Sequence, residues 1–530
     1  MRDWKFIGAI ALITILTCAR VATTHRVFAA VVDEPAHVAA GMEWLTGGSY
    51  AIDASHPPLA RALCVLPLRL SGIPLPVGTH MIGIGNEILY HGDRYVKTLA
   101  RARIPNLLLL AIAIVATAAW ARRAFSRAVA IAAAAMLSTL PPVLAHAGLV
   151  TTDVAALAAI PLALLALDLC IETPTLRRGL LLGFAIAFGV LAKFSFLVYF
   201  PAAALCVLIV QSRPRIAWRS LLAASVTAFV LVWAGYRFDF RKPVQVAGEQ
   251  APALMAALLP GPDSFAHSVA RNVPLPAPAF FVGLGMLKQH DQSGHAAYLL
   301  GEIKAKGWWS YFPVIVFYKT PLPFLLLVLW GLGLFVVRRD RLAFAYAAAP
   351  FAILGVAMTS SINIGVRHIL PMYAPLAIVA AYAAVEIWSR SRDAFGRTAL
   401  AAILVWLFGG IGLAHPDYLG WFNELAQPAP YRIAVDSNLD WGQDALRLAK
   451  AKQELGLEPL WIDIFSTIRY ERHGLNRAPF DPNVKQTGWL AVSETQLAFK
   501  RGFGNYGWLA SYRPVRRIGT SIRLYKIPAD

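Results

Sequence analysis

Charge is scarce in this 530-residue chain: only 15% of its residues are Asp, Glu, Lys or Arg, whereas 58% are hydrophobic. An ordinary soluble domain carries about 25% charged and roughly 45–50% apolar residues. The shortfall excludes a large water-soluble helical enzyme, whose helices need polar outer faces. Cysteine is scarce as well. Cys18, Cys64, Cys170 and Cys206 lie in or beside apolar segments without paired spacing, which points away from a disulfide framework and from a thiolate metal site. The sequence has no P-loop and no helix-borne HExxH, and it shows no internal repeat and no low-complexity tract.

What charge there is leans basic, to a formal +19. Nucleic-acid binding would need those residues on one soluble face. Here the arginines sit in short clusters between apolar runs, the pattern of positive-inside membrane topology. Mean hydropathy is +0.55, and the apolar residues gather into about eleven stretches near spanning length. They fall at 5–24, 104–121, 128–145, 152–171, 179–193, 196–211, 219–236, 313–337, 342–359, 369–388 and 398–415. A cytoplasmic N-terminus puts six basic groups on the cytoplasmic side: Arg2 with Lys5; Arg122, Arg123 and Arg127; Arg177 and Arg178; Arg213, Arg215 and Arg219; Arg338, Arg339 and Arg341; Arg390, Arg392 and Arg397. The C-terminus is then expected outside. Arg94, Lys97, Arg101 and Arg103 break the rule locally, in a long loop where it is weak. Val27-Phe28-Ala29 resembles a signal-peptide cleavage site, although Arg20, His25 and Arg26 interrupt the approach to it.

The expected fold is an α-helical polytopic membrane domain, 1–416, with outer loops at about 25–103 and 237–312 and a small α/β domain over 417–530. In that last part Tyr431–Val435, Leu460–Phe465, Trp489–Ser493 and Ser521–Ile527 read as strands and Asp440–Leu455 as a helix.

Acidic candidates stand on the outer side. Asp33 and Glu34, in VVDEPAHVAAG, precede Pro35, which suits a helix first turn; either could be a simple N-cap. His37 could face Glu34 across one turn. Asp153, in HAGLVTTDVAALA, sits at the outer end of the fourth stretch beside Thr151 and Thr152, which offer local capping. Cations accompany them: Lys193 in FGVLAKFSFL, Lys319 in FPVIVFYKTPLP, and Arg367 with His368 in NIGVRHILP. A lysine in an apolar helix costs roughly 2.5–3.5 kcal/mol at mid-bilayer, and snorkelling to the interface is the alternative to a functional role. Cations gathered at one interface suit a phosphate headgroup. His290, Asp291 and His295 are metal ligands by type but match no zinc spacing. Trp308, Trp309, Tyr311 and Phe312 read as an interfacial aromatic belt.

With these residues in view, the chain resembles the GT-C superfamily of membrane glycosyltransferases. Within it, the chain is similar to the bacterial branch of glycosyltransferase family thirty-nine, related to protein O-mannosyltransferases and lipid A aminoarabinose transferases. The resemblance is carried by DEPAH and HPPLARAL, HAGLVTTD, LAKFS, GHAAYLLGEIKAKGWWSYFPVIVFYKTPLP, NIGVRHILP, FNELA and VDSNLDWGQD. It implies a polyprenyl-phosphate-linked sugar donor and action at the outer face of the cytoplasmic membrane. It also implies Asp33 as catalytic residue with Glu34 beside it, Asp153 as the second-loop acid, and Lys193 on the carrier phosphate. Arg367, His368, Arg103 and Lys319 are expected to share that phosphate, and His37, His56, Tyr50, His295 and Glu302 to line the substrate cavity. The tail has no MIR-type repeat, which argues against a protein acceptor. Sugar, acceptor (glycan, lipid or protein) and any divalent metal are left open.

The inventory suits a single displacement. The acceptor hydroxyl needs a base, and the phosphate leaving group needs cations rather than an acid. Two other classes compete. A transporter or flippase predicts ionisable residues at mid-bilayer and matching broken helices in two halves. A membrane anchor presenting the C-terminal module needs neither Asp33 nor Lys193.

Overall fold

The computed structural model describes residues 3–78, 80–210, 217–259, 261, 264–338, 341–391, 394–476 and 480–529. Arg2, Arg213, Arg215, Arg339 and Arg392 lie outside the described residues, as does the side chain of Arg341.

Apolar sequence becomes helix wherever a membrane can take it, because hydrocarbon leaves backbone groups no partner but the helix itself. Helices lie over all eleven stretches. Six are long and apolar enough alone to cross a membrane: Trp4–Ala22, Tyr95–Ala124, Asp153–Glu172, Trp218–Gly235, Val366–Arg390 and Ala394–Leu413. Two bent pairs raise that to eight, Arg127–Leu137 with Pro141–Ala147 at 66° and Tyr311–Lys319 with Leu322–Arg338 at 114°. Prolines cause both bends, at Pro141–Pro142 and at Pro321 and Pro323, since proline supplies no N–H to continue the ladder. A count of eleven also needs the shorter helices Leu176–Ala192, Phe196–Val210 and Arg341–Ala357.

The two ends of the bundle differ in chemistry. At one end Asp3 holds Arg122 and Arg127, Glu172 holds Arg123 and Arg178, and Glu386 holds Arg338 and Arg390. Phe125 joins these groups by packing on Phe335 and Tyr382. Among the described residues these three arginine-bearing groups therefore share one end. At the other end lie three short helices, Glu34–Gly47, Pro58–Leu70 and Met81–Leu89. Their close packing requires small residues: a side chain at Gly41 would meet the Arg61 carbonyl, and one at Gly85 the Pro35 carbonyl.

The C-terminal segment lies against this second end. Ala29 and Val32 donate backbone bonds to Gln443 and Trp441, both 3.0 Å. Arg469 pairs with Glu87, and Arg472 with Asp93 at 2.6 Å. Its sheet orders Leu460–Asp463, Gly488–Ser493, Ile522–Ile527 and Arg516–Ile518; the first two are parallel and the rest antiparallel. Tyr431–Val435 is not a strand. It opens with a 3-10 turn, Pro430–Arg432, whose neighbour Ile433 accepts from Leu300 at 2.9 Å. The helix expected from Asp440 starts at Ala445, because Gly442 adopts φ 93°, outside any helix.

Candidate active site

Asp33 and Glu34 open the helix Glu34–Gly47, and the chain turns them in opposite directions. Neither is a simple N-cap, since Asp33 makes no side-chain cap bond. Glu34 is fully buried. Its Oε1 accepts from Arg103 Nε and the Val150 amide, both 2.8 Å, and its Oε2 from Arg103 Nη2 at 2.6 Å and the Val31 amide at 2.9 Å. Arg103 gives its remaining donors to the carbonyls of His25, Phe28 and Ala29. All five guanidinium N–H groups are engaged, which fixes the geometry of a fork. The expectation that Arg103 holds phosphate and that Glu34 shares catalysis is therefore corrected: the pair clamps the first loop to the helix Tyr95–Ala124. It also explains a basic residue on the rule-breaking side.

Asp33 points to open space, its side chain 35% exposed, and pairs through Oδ2 with Arg367 Nη1 at 2.8 Å. Arg367 lies over the Trp441 ring at 4.2 Å and is within electrostatic reach of Asp153 and Asp436. Two of the sequence motifs meet to hold it. Val366 N donates to Asn438 Oδ1 at 3.0 Å and Ser437 Oγ to the Ile364 carbonyl at 2.6 Å, and a side chain at Gly365 would strike Ser437. Asp153, at the start of Asp153–Glu172, takes Lys193 Nζ on Oδ1 at 2.5 Å; Lys193 ends the helix Leu176–Ala192 in extended backbone. Asp153 Oδ2 is 3.9 Å from His146 Nδ1. His368 stands among Lys193, Arg367, Asp153 and His56. Asp153 Oδ2, His146 Nδ1, His368 Nε2 and Arg367 Nε are buried without hydrogen-bond partners. Unsatisfied buried polar atoms are rare in native folds, so a cluster of them marks a polar hollow fit for a charged ligand.

Further charged side chains, centred on Arg61, stand behind the hollow. Arg61 donates Nε to His37 Nδ1 at 3.0 Å, Nη1 to the Asp53 carbonyl at 3.0 Å, and pairs through Nη2 with Asp53 and His56. The His37 and His56 rings meet edge to face at 5.1 Å. Burial, then Arg61, holds His37 well below the usual imidazole range and His56 down to about 3. Burial opposes ionisation of Asp53, yet Arg61 and His56 carry it below the ordinary carboxylate value. Asp436, at φ 55°, faces Arg367 and Asp33; burial pushes it up to about 6 against the pull of Arg367.

The other expected residues divide. His295 is 3.3 Å from His290 and feels both Arg367 and Asp33; burial lowers its basicity. Tyr50 stacks on Tyr236 at 5.2 Å, its hydroxyl unpartnered, and burial raises its phenol. Lys319 lies within electrostatic reach of His146, but its own bonds go elsewhere. It is buried, and its ammonium donates to the carbonyls of Leu419 at 2.8 Å, Trp421 at 2.5 Å and Asn438 at 2.7 Å. Three bonds use its three protons, so Lys319 ties the C-terminal segment down. Glu302 is exposed on the hairpin Ala297–Lys304 and shows no contact with Asp33 or Arg367. Asp291 caps the turn at Ser360 and Ser361, at 2.9 and 2.8 Å. Among the described residues no group of three or more His, Cys, Asp or Glu is placed to hold a metal ion. An apolar cavity of about 350 Å³ lies apart, in the second outer loop, lined by Leu254, Met255, Phe265 and Phe281.

Arg61, Asp53, His146, Asp436 and Trp441 were not singled out from sequence. Arg61 lies within HPPLARAL, and Asp436 and Trp441 within VDSNLDWGQD, but only the fold shows which residues of those strings face inward.

Residues 74–236 match the model of a family described as dolichyl-phosphate-mannose-protein mannosyltransferase. None of the curated proteins matches. Among solved structures, ArnT from Cupriavidus metallidurans bound to undecaprenyl phosphate superposes with a TM-score of 0.51 at 14% identity, over 98% of each chain. ArnT from the same organism in the apo state gives 0.50 at 13% identity, again over 98% of each chain. This multi-pass membrane chain, similar to ArnT from end to end, has the fold of the GT-C superfamily of membrane glycosyltransferases.

Proposed function

We propose that the chain transfers a sugar from a polyprenyl-phosphate-linked donor to an acceptor hydroxyl at the outer face of the cytoplasmic membrane. The observation that carries this reading is the charge array of the hollow. Asp33 holds Arg367, Asp153 holds Lys193, and four buried polar atoms between them lack partners. The matching family is one of dolichyl-phosphate-mannose-protein mannosyltransferases and the ArnT structure holds undecaprenyl phosphate, which supports a lipid-phosphate donor.

In this mechanism the donor phosphate takes Arg367 and Lys193, cations suited to the charge that develops as it leaves, with the His368 ring beside them. Drawing Arg367 to the phosphate releases the Asp33 carboxylate to accept a proton. The acceptor oxygen then forms its bond to the anomeric carbon as the carbon–phosphate oxygen bond breaks. The hydroxyl proton goes to Asp33 and the electron pair to the lipid phosphate. Direct displacement inverts the anomeric centre. Glu34, Arg103 and Arg61 act by position. The basic end of the bundle faces the cytoplasm in this reading, and residues beyond 416 form the outer module.

A transporter would want ionisable groups at mid-membrane. Asp168 is buried one turn from the end of its helix, where Trp120 and Tyr346 hold its Oδ2 at 2.8 and 2.7 Å while its Oδ1 has no partner, so it stands near the basic end of the bundle and not at its middle.

The test uses purified full-length protein in nanodiscs with radiolabelled polyprenyl-phosphate sugars and a panel of hydroxyl acceptors. Label should pass to an acceptor, and Asp33→Asn should slow it by ~10²–10⁴. Turnover by Asp33→Asn at the parent rate would refute the base assignment, and no transfer with any donor would refute the reaction.

A further inference from the structure

A cleft of about 290 Å³ opens between the hairpin Ala297–Lys304 and the C-terminal segment. Four elements build its walls. Tyr298 comes from the hairpin, Tyr431 and Arg432 from the turn Pro430–Arg432, Arg501 from the helix Glu494–Gly502, and Arg523 from the strand Ile522–Ile527. Glu494 anchors the floor. It takes Arg523 in a fork of two 2.8 Å bonds, and Arg517 at 2.9 Å. Arg523 in turn lies over the Tyr431 ring at 4.1 Å. The one carboxylate is thus neutralised from below, while Arg432 and Arg501 are exposed and pair with no described acidic residue. Two uncompensated guanidinium groups on a rigid, ion-paired floor attract an anion and recognise it by paired N–H donors.

The cleft also borders a narrow crevice on the side of the hollow. Tyr298 lines, on its other side, a crevice shared with Tyr311, Asn363 and Asp436, and Asp436 faces Arg367 and Asp33. Tyr298 stands between the cleft and that crevice. The cleft's volume stands just under the range for small-molecule sites, about 300–1,000 Å³, and Tyr298 sets a flat apolar face beside polar groups, the mixture a sugar ring presents in complement.

Resting on the transfer reading above, we propose that this cleft is the acceptor subsite and takes an anionic saccharide. The ring lies along Tyr298, since Arg523 and Arg517 cover the Tyr431 ring, and its carboxylate or phosphate meets Arg432 and Arg501. The cleft is assembled from both the second outer loop and the C-terminal segment, which gives that segment a part in acceptor choice.

Full-length protein in nanodiscs is titrated by calorimetry with glucuronate, glucose 1-phosphate, glucose and inorganic phosphate. At least one of the two anionic sugars should bind tenfold or more tightly than both glucose and phosphate, and the stronger of the two identifies the anion. The double variant Arg432→Ala/Arg501→Ala, altered only at exposed positions, should lose that preference by tenfold or more. Its binding of undecaprenyl phosphate should be unchanged. The proposal is overturned if neither anionic sugar exceeds glucose and phosphate, or if the double variant binds them as the parent does. Failure of the transfer reading has a different signature, no passage of label from any polyprenyl-phosphate sugar to any acceptor by the parent, whatever the binding of the anionic sugars.

Discussion

Exchanging Asp33 for Asn removes one charge from a partly exposed side chain, and its partner Arg367 keeps Asp153 and Asp436 within reach. The fold should survive and the rate should not, a fall of ~10²–10⁴ being the loss expected of a general base. Glu34→Gln, one residue on, should do the reverse. It strands the Arg103 charge in the interior, where a broken buried pair costs roughly 3–5 kcal/mol. Melting curves in detergent should drop steeply for Glu34→Gln and hardly move for Asp33→Asn. Equal losses of stability in both would remove the distinction between base and clamp. His56 supplies a pH test. Its folded value of about 3 lies below the ordinary 6.5, so its contribution is whole above pH 6.5 and is lost as pH falls toward 3. Asp53, lowered as well, acts in the same sense below 3.8. Arg61, Asp53, Lys193 and Asp153 face His56, and none reverses that sign. Asp436, raised to about 6, acts in the opposite sense over the same window, so the test is the difference: between pH 7 and pH 4 the parent should lose more melting temperature, or gain less, than His56→Gln.

At the scale of elements, Lys319 separates two meanings of a buried lysine. A phosphate ligand would show in donor affinity. A tie would show in stability, because Lys319→Met leaves the Leu419, Trp421 and Asn438 carbonyls without their donor, at about 1–3 kcal/mol for each orphaned group. We expect a lower melting temperature with unchanged donor KM in the folded fraction; a KM shift at parental stability would restore the phosphate role. The same residue shows what sequence can convey. A lysine beside Pro321 and Pro323 in an apolar run is visibly unusual, but its three acceptors lie about a hundred residues downstream or more. Long helices were legible because hydrocarbon imposes a composition on every residue of a span. Three strands of the small sheet were legible as short apolar runs, whereas Arg516–Ile518 is too short and too basic to signal itself. Asp33, Asp153, Lys193 and Arg367 could be chosen as outer-side ionisable residues. That Glu34 and Arg103 are paired with each other depends on the packing of helices 69 residues apart, which no local pattern encodes.

Over the whole molecule, charge is partitioned by end. Acidic residues at one end serve chiefly to pair the arginines of the connections, through Asp3, Glu172 and Glu386. At the other end carboxylates and cations enclose a hollow and are covered by residues beyond 416. If that partition is the membrane topology, sidedness can be read chemically. Val77 and the Lys450 side chain are exposed at the hollow's end, and Leu176 is exposed at the basic end. Cys64 and Cys170 are buried, and Cys18 and Cys206 are half-buried in apolar helices, so the parent offers little background to a membrane-impermeant maleimide. In intact cells, single cysteines at Val77 and Lys450 should label, and one at Leu176 should label only after the membrane is opened. Labelling of Leu176→Cys together with Lys450→Cys would place both ends of one bundle on the same side. A bundle whose spans separate those ends by the thickness of a bilayer cannot do that, and the positive-inside assignment would have to be abandoned with it.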